Sequence, residues 1–337
     1  MPRSRAIQLF TTCPPSYGCV DGSAYRATAR DVARWSDRHG VQGILVYTDN
    51  GLVDPWLMAQ DILGCTERLE PLVAVQPIYM HPYAAAKMVS TLTLLHGRRI
   101  WLNMLAGGFK NDLLALGDDT PHDDRYVRTT EYTLIMKGLW AGKAVSFAGK
   151  YYRTDKLKLT PTIEPGLTPG ILISGSSAAG IEAARAIEAT IVQYPKPPEE
   201  YAEEALPGLP CGFRVGILAR GAADEAWRIA EERFPLDRKG QITHQLAMKV
   251  SDSAWHQQLS DLGKAAAQGR SPYWLHPFEN YKTFCPYLVG DHATVAAELA
   301  GYFRRGFKTL IVDVPRDEAD LVHAQKAIQM AEAMARA

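Results

Sequence analysis

The sequence predicts an α/β fold, a (β/α)8 barrel, on three observations. Short apolar runs of strand length alternate with amphipathic helical segments along the chain. Eight such runs can be counted, which suits closure into a barrel. The first run leads into Phe10-Thr11-Thr12-Cys13-Pro14-Pro15, where an open doubly wound sheet would carry a glycine-rich dinucleotide fingerprint. That open sheet is the rival architecture.

The elements follow in order. Residues 6–10 form the first strand. Residues 25–39 have helical spacing through Ala29, Val32, Ala33 and Trp35, and Gly40 supplies the stop. Residues 43–47 are the second strand. Asp54 starts a helix with Pro55 at its first position, where a missing N–H costs nothing. Residues 71–76 are the third strand and 83–95 a helix behind Pro82. Residues 99–105 are the fourth strand, ending in the turn Ala106-Gly107-Gly108, and 123–140 a long helix. Aromatic and β-branched residues around Gly149-Lys150 make 144–160 a β-hairpin. The fifth strand, 170–173, runs into Gly175-Ser176-Ser177 and a helix at 178–187. Strands at 189–193 and 213–218 and a helix at 222–234 come next. Residues 235–288, rich in Gln, Ser, Trp and Tyr and cut by Pro272, Pro277 and Pro286, break the repeat and read as an insertion. A helix at 292–304, the eighth strand at 308–313 and a closing helix at 318–335 complete the chain. The expected organisation is one domain over 1–337, with insertion segments near 144–160 and 235–288.

Composition narrows the function classes. Of 337 residues, 37 are Lys or Arg and 37 are Asp or Glu, so the formal net charge is zero. Without excess positive charge, an overall nucleic-acid binder is not expected. At 47% hydrophobic and 22% charged residues the chain can fold and bury a core. The apolar runs have strand length, short of the roughly 18 residues that a membrane span needs. The basic residues of Met1-Pro2-Arg3-Ser4-Arg5 have no apolar run behind them, so no secretory signal is read there. Five scattered cysteines without a C-x-x-C pair argue against a disulfide framework and a cysteine zinc site. A cytoplasmic protein is expected. The nine histidines contain no H-E-x-x-H pattern, and neither a G-x-S-x-G elbow nor a P-loop occurs.

In a (β/α)8 barrel the chemistry lies at the C-terminal ends of the strands. Ser174-Gly175-Ser176-Ser177-Ala178 is the most informative of those ends. A glycine and small hydroxyls where a strand feeds a helix offer free N–H groups, the helix dipole and two side-chain donors. This reads either as a phosphate cradle or as a serine helix cap. Asn103, in Trp101-Leu102-Asn103-Met104-Leu105, puts an amide among apolar neighbours, where it must find hydrogen bonds. It reads either the polar edge of a heterocycle or a neighbouring strand. Gln76 ends the third strand in the same way. Tyr126, early in its helix, can offer its hydroxyl to a phosphate. His122 reads as a base or as a surface or capping residue.

These stretches, taken in order, resemble the bacterial luciferase-like flavin monooxygenases, in particular the alkanesulfonate monooxygenase branch. The resemblance is carried by Gly43-Ile44-Leu45-Val46 with Asp54-Pro55-Trp56-Leu57. It continues in Pro82-Tyr83-Ala84-Ala85-Ala86-Lys87, Gly97-Arg98-Arg99 and Asn103-Met104-Leu105-Ala106-Gly107-Gly108. His122-x-x-Arg125-Tyr126, Gly149-Lys150-Tyr151-Tyr152, Gly175-Ser176-Ser177 and Val289-Gly290-Asp291 complete it. The resemblance implies the barrel fold and a two-component enzyme using reduced FMN and O2 on a small organic substrate. It also implies a separate flavin reductase and a homodimer or homotetramer. It places Ser176, Ser177 and Tyr126, with Gly175, on the FMN phosphate, and Gln76, Asn103, Ala106 and Gly107 beside the flavin.

The sequence departs from the sulfonate-cleaving pattern. An Arg-x-His on the seventh strand is here Arg214-Val215-Gly216. A cysteine after the second strand is replaced by Leu52, and a threonine of the fourth-strand turn by Ala106. An Arg-Gly-Gly loop is replaced by Tyr281-Lys282-Thr283-Phe284-Cys285-Pro286. A simple alkanesulfonate is therefore not expected as substrate. Arg214 is the one family-matching cation expected near the reaction, pairing with a carboxylate, sulfinate or peroxide, or else salt-bridged at the barrel rim. A deazaflavin-dependent oxidoreductase and a non-catalytic flavin-binding paralogue are the alternative functions.

Overall fold

A computed structural model describes residues 7–107, 109–250, 254–265 and 269–336. Ala6 and Gly108, parts of the expected first strand and fourth-strand turn, lie outside the described residues.

The chain runs β1 (Gln8–Thr12), α1 (Gly22–Arg38), β2 (Gly43–Val46), α2 (Pro55–Leu63), β3 (Glu70–Val75), α3 (Pro82–His96) and β4 (Trp101–Met104). It goes on through α4 (Lys110–Ala115), α5 (His122–Trp140), β5 (Val145–Ala148), β6 (Arg153–Leu157), β7 (Gly170–Ser174), α6 (Ala178–Ala186) and β8 (Thr190–Gln193). Then come β9 (Cys211–Arg220), α7 (Ala223–Arg233), α8 (Arg238–Val250), α9 (Ala254–Ala265), β10 (Tyr273–Trp274) and α10 (His276–Glu279). The chain closes with β11 (Tyr287–Asp291), α11 (His292–Arg304), β12 (Phe307–Val312) and α12 (Glu318–Arg336). The fold class is the (β/α)8 barrel, with β1, β2, β3, β4, β7, β8, β9 and β12 as its parallel strands.

The described residues group into two compact units: Cys13–Ile191, and the residues up to Thr12 with those from Val192 on. In the first unit β2, β3, β4 and β7 pair in parallel, and the register sets Asn103 between Ala74 and Leu172. β2 and β4 are buried at every position, as strands covered on both faces must be. Asp54 caps α2 by accepting from Trp56 and Leu57 N–H, with Pro55 in its first turn. β5 and β6 form an antiparallel hairpin. The buried Glu131 carboxylate of α5 accepts from the N–H groups of Lys150 (2.7 Å), Tyr151 (2.8 Å) and Tyr152 (3.0 Å) in its turn. A Cβ on Gly149 would collide with that carboxylate.

In the second unit β1 pairs with β12, and β12 with the first half of β9. β1 starts at Gln8, leaving Ile7 of the expected strand outside it, and extends through Thr12, whose hydroxyl donates to Val312 O at 2.8 Å. The second half of β9 pairs in parallel with β11, a strand the sequence reading did not contain. α8, α9, β10 and α10 occupy the segment that breaks the repeat. Phe213 of β9 packs on Tyr302, Phe303 and Phe307.

Candidate active site

In the unit Cys13–Ile191, β7 ends at Ser174 and α6 starts at Ala178. Ser177 between them is extended, and its Oγ accepts from Gly180 N–H at 3.2 Å, so it caps the helix. Ser176 Oγ is buried without a hydrogen-bond partner. Such a group costs free energy unless a ligand or water satisfies it. The Tyr126 ring lies against this turn, and its hydroxyl donates to Ser174 O at 3.4 Å. Glycine at 175 lets it approach, since a Cβ there would come within 2.6 Å of the hydroxyl oxygen; a Cβ on Gly180 would come within 3.2 Å of the ring, a tight contact. The orphaned hydroxyl, the open helix N-terminus and the glycine cradle fit a phosphate. His122 packs edge-on against Tyr126 and lies 2.7 Å from Asp123, part-exposed.

Asn103 is buried on β4, and its Oδ1 accepts from Ser174 Oγ at 3.0 Å. The amide thus ties the fourth and fifth barrel strands at their ends. Gln76, also buried, follows β3 and donates from Nε2 to the Tyr79 hydroxyl at 3.2 Å. Tyr79 donates in turn to Asn50 Oδ1 at 2.7 Å, and Asn50 Nδ2 to Asp112 O at 3.0 Å. Burial, with the nearby Asp112 and Asp49 carboxylates, pushes the Tyr79 phenol up to about 12, so it remains a donor at neutral pH. Burial likewise raises Asp49. Ala106 is buried and Gly107 has φ +107°, where a Cβ would reach within 2.8 Å of Leu113 Cδ1.

In the other unit Arg214 of β9 donates to Asp313 Oδ1 at 2.8 Å. Thr283 Oγ1 and the Tyr287 hydroxyl each donate to Asp313 Oδ2 at 2.9 Å. Burial raises the Asp313 carboxyl, but the Arg214 guanidinium, Arg233 and the Thr283 hydroxyl together hold it below its usual range. Burial pushes the neighbouring Cys285 thiol far up, which leaves it a protonated apolar group. Tyr194, after β8, stacks on Trp255 at 4.0 Å and hydrogen-bonds to Arg214.

The first unit therefore brings together Tyr126, Gly175, Ser176 and Ser177, and links Ser174 to Asn103. Gln76 belongs to a separate network with Tyr79 and Asn50, and Arg214 to the Asp313 cluster of the other unit. Sequence reasoning missed Asp313 as the arginine's partner, Tyr79 as the glutamine's, and Asn50 as the partner of Tyr79. All three stand in segments that follow barrel strands, and that position was the available signal. Among the described residues no group of three or more His, Cys, Asp or Glu is placed to hold a metal, and no helix is long and apolar enough to cross a membrane.

The profile of the luciferase-like monooxygenases matches residues 9–309. The 4-(gamma-L-glutamylamino)butanoyl-(BtrI acyl-carrier protein) monooxygenase BtrO of Niallia circulans is 34% identical over 325 residues, covering 94% of this chain and 95% of that one. Among solved structures, the oxygenating constituent of 3,6-diketocamphane monooxygenase from Pseudomonas putida, in complex with FMN, superposes with TM-score 0.70 at 17% identity, over 97% of each chain. An F420-dependent secondary alcohol dehydrogenase superposes with TM-score 0.69 at 15% identity, covering 97% of this chain and 99% of that one. These two likenesses are of fold. The match along most of the chain, together with the identity to a monooxygenase, places this protein in the luciferase-like monooxygenase family.

Proposed function

We propose that the protein is a flavin-dependent monooxygenase that uses reduced FMN and O2 to oxygenate a small acyl compound. The observation that carries the cofactor assignment is the buried, partnerless Ser176 Oγ at the N-terminus of α6, beside Tyr126 in its glycine cradle. Ser176 and Ser177 donate to the phosphate, with the first N–H groups of α6 and the Tyr126 hydroxyl in support. Gln76, Asn103 and the Ala106-Gly107 backbone serve the polar edge of the ring system. When bound, reduced FMN supplies the two electrons with which one atom of O2 enters the substrate and the other leaves as water. The chain's own part is to bind, orient and exclude water. Reduced FMN binds better than oxidised FMN, without a covalent link, and a separate reductase delivers it. The chain acts as one luciferase-like domain with insertions near 144–160 and 235–288, in a cytoplasmic homodimer or homotetramer.

For the substrate, the relative whose name specifies a carrier-bound 4-(gamma-L-glutamylamino)butanoyl group points to an acyl chain bearing an amide. The replaced sulfonate-handling positions favour this over a simple alkanesulfonate. A deazaflavin is the second reading, favoured by the likeness to the F420-dependent dehydrogenase. The test is a mass-spectrometric screen with reduced FMN and isotopically labelled O2 over acylaminobutanoyl thioesters, amides and short alkanesulfonates. The expected product gains one labelled oxygen atom. Turnover with reduced F420 and none with reduced FMN would overturn the assignment.

A further inference from the structure

Five acidic side chains are buried among the described residues, and four of them are matched. Asp118 holds Arg128 at 2.6 Å, Asp313 holds Arg214 at 2.8 Å, Asp320 holds Arg220 and Arg233, and Glu131 takes three backbone N–H groups. Asp49 is the exception. It keeps 9% of its exposure, yet among the described residues no lysine or arginine pairs with it and no side-chain donor reaches it. The N–H groups of its own turn approach it: Gly51 N–H donates to Oδ1 at 2.7 Å, with the Leu52 N–H close by. A second carboxylate stands near. Asp112, with no ion pair among the described residues, accepts from Asn50 N–H at 3.3 Å. Burial and then the Asp112 charge raise the Asp49 carboxyl. A buried carboxylate left this way costs free energy that a bound cation removes.

Asp49 stands where a barrel places its chemistry. It follows β2, and the β2–β3 register, continued three residues past the Val46–Val73 pair, sets it level with Gln76 on the neighbouring strand end. Gln76 is the residue proposed above to serve the flavin ring. The turn after Asp49 reaches solvent, since Asn50 and Gly51 are exposed, and Leu52 and Val53 beyond it line a cleft with Pro14, Ser16 and Tyr47. The Tyr17 ring adjoins the carboxylate: a Cβ on Gly51 would stand 3.1 Å from Tyr17 Cε1 and 3.4 Å from Asp49 Oδ1. A carboxylate beside an aromatic ring suits a cationic amine. All of these residues belong to the unit Cys13–Ile191.

We propose that Asp49 is a specificity-determining residue that anchors a protonated primary amine, so that the compound oxygenated here carries an alkylammonium group. An ammonium fits better than a guanidinium, whose fork needs both carboxylate oxygens, one of which the Gly51 N–H already engages. A sulfonate or carboxylate at this point is repelled by Asp49 and Asp112 together. Calling the bound amine a substrate rests on the monooxygenase reading, while the amine site stands on this unit's own side chains.

The experiment compares wild type with Asp49→Asn, which removes the charge and keeps the size, and with Asp112→Asn. The probes are 4-aminobutanamide, a cation at neutral pH, and pentanamide, in which a methyl group takes the place of the ammonium. Equilibrium binding to flavin-free protein is read by ligand-observed NMR. Wild type should bind the amine at least about tenfold tighter than pentanamide, the worth of one charge-assisted hydrogen bond. Asp49→Asn should erase that preference. Asp112→Asn should keep most of it, because that carboxylate acts at a distance. Equal affinities in wild type, binding of neither probe, a preference that survives Asp49→Asn, or a greater loss in Asp112→Asn than in Asp49→Asn overturns the proposal. Should Asp49→Asn fail to fold, Asp49→Ser takes its place, since a serine hydroxyl can accept from the same Gly51 N–H. The wild-type preference needs no variant at all. A parallel titration of wild type with reduced FMN keeps the two claims apart, since failure there removes the flavin reading and leaves the amine result standing.

Discussion

Ser176 and Ser177 are adjacent and chemically identical, yet the Ser177 hydroxyl has a hydrogen bond within the fold and the Ser176 hydroxyl has none, and mutation should separate the two. Ser177 Oγ caps α6 through Gly180 N–H. Ser177→Ala should therefore lower the stability of the flavin-free protein by about 1 kcal/mol. Ser176 Oγ has no partner to lose. Ser176→Ala should hold or raise the denaturation midpoint and weaken reduced FMN binding by roughly 1.5–3 kcal/mol, the usual worth of a hydrogen bond to a charged group. Chemical denaturation and anaerobic flavin titration of both variants check this. Equal effects of the two substitutions on both readouts would contradict the division. The sequence showed this turn as a cradle or a cap, and the structure assigns the capping bond to Ser177 and leaves Ser176 to be satisfied. It also showed Arg214 as a candidate but not its partner, because Asp313 lies 99 residues away and no local pattern announces a contact of that range.

At the level of elements, the β5–β6 hairpin depends on a single carboxylate. Replacing Glu131 by alanine orphans three N–H donors at once. It should cost about 2–4 kcal/mol in urea unfolding. Gly149→Ala should cost a comparable amount, because its Cβ needs the space that Glu131 fills. A loss under about 0.5 kcal/mol for both, the size of an ordinary surface change, would show that the hairpin is held by something else. The segment α8–α10 makes a pH prediction. His256 sits among Trp255, Phe278 and Phe284 with His244 6.0 Å away, and burial, then the charge of His244, lowers its pKa from 6.5 to about 4. Burial also lowers His244 and His276. A depressed histidine is neutral in the fold, so between about 6.5 and 4 the unfolded chain binds more protons than the native one. Stability is full above this window and falls as pH drops through it, by on the order of 3 kcal/mol for His256. Urea midpoints across the window should slope downward toward acid, and His256→Phe should flatten the slope. The same slope in both proteins would contradict the assignment. The barrel strands were legible because short apolar runs of strand length, bounded by turn residues, recur between amphipathic helical segments. β11 was not, since Tyr287–Asp291 follows Pro286 at the end of a segment without helix–strand rhythm, and it is a strand because the second half of β9 offers an edge to pair with.

For the whole molecule, the order of strands and helices fixes where chemistry sits, and the family fixes its general type, while the cofactor and substrate rest on a few side chains. A ligand that binds only the folded chain raises its stability by mass action, about 2.7 kcal/mol at a hundred times its dissociation constant. Reduced FMN should therefore raise the melting temperature under anaerobic conditions, and the rise should shrink in the Ser176→Ala variant. The central claim is that the N-terminus of α6 with Ser176, Ser177 and Tyr126 is a phosphate site for a reduced flavin. Its most direct test is an anaerobic equilibrium titration of the wild-type protein with reduced FMN, reduced riboflavin and reduced F420 side by side. The account predicts saturable binding of reduced FMN, at least tenfold weaker binding of riboflavin, which lacks the phosphate, and weaker binding of F420. Equal affinity for FMN and riboflavin, or tightest binding of F420, would contradict it.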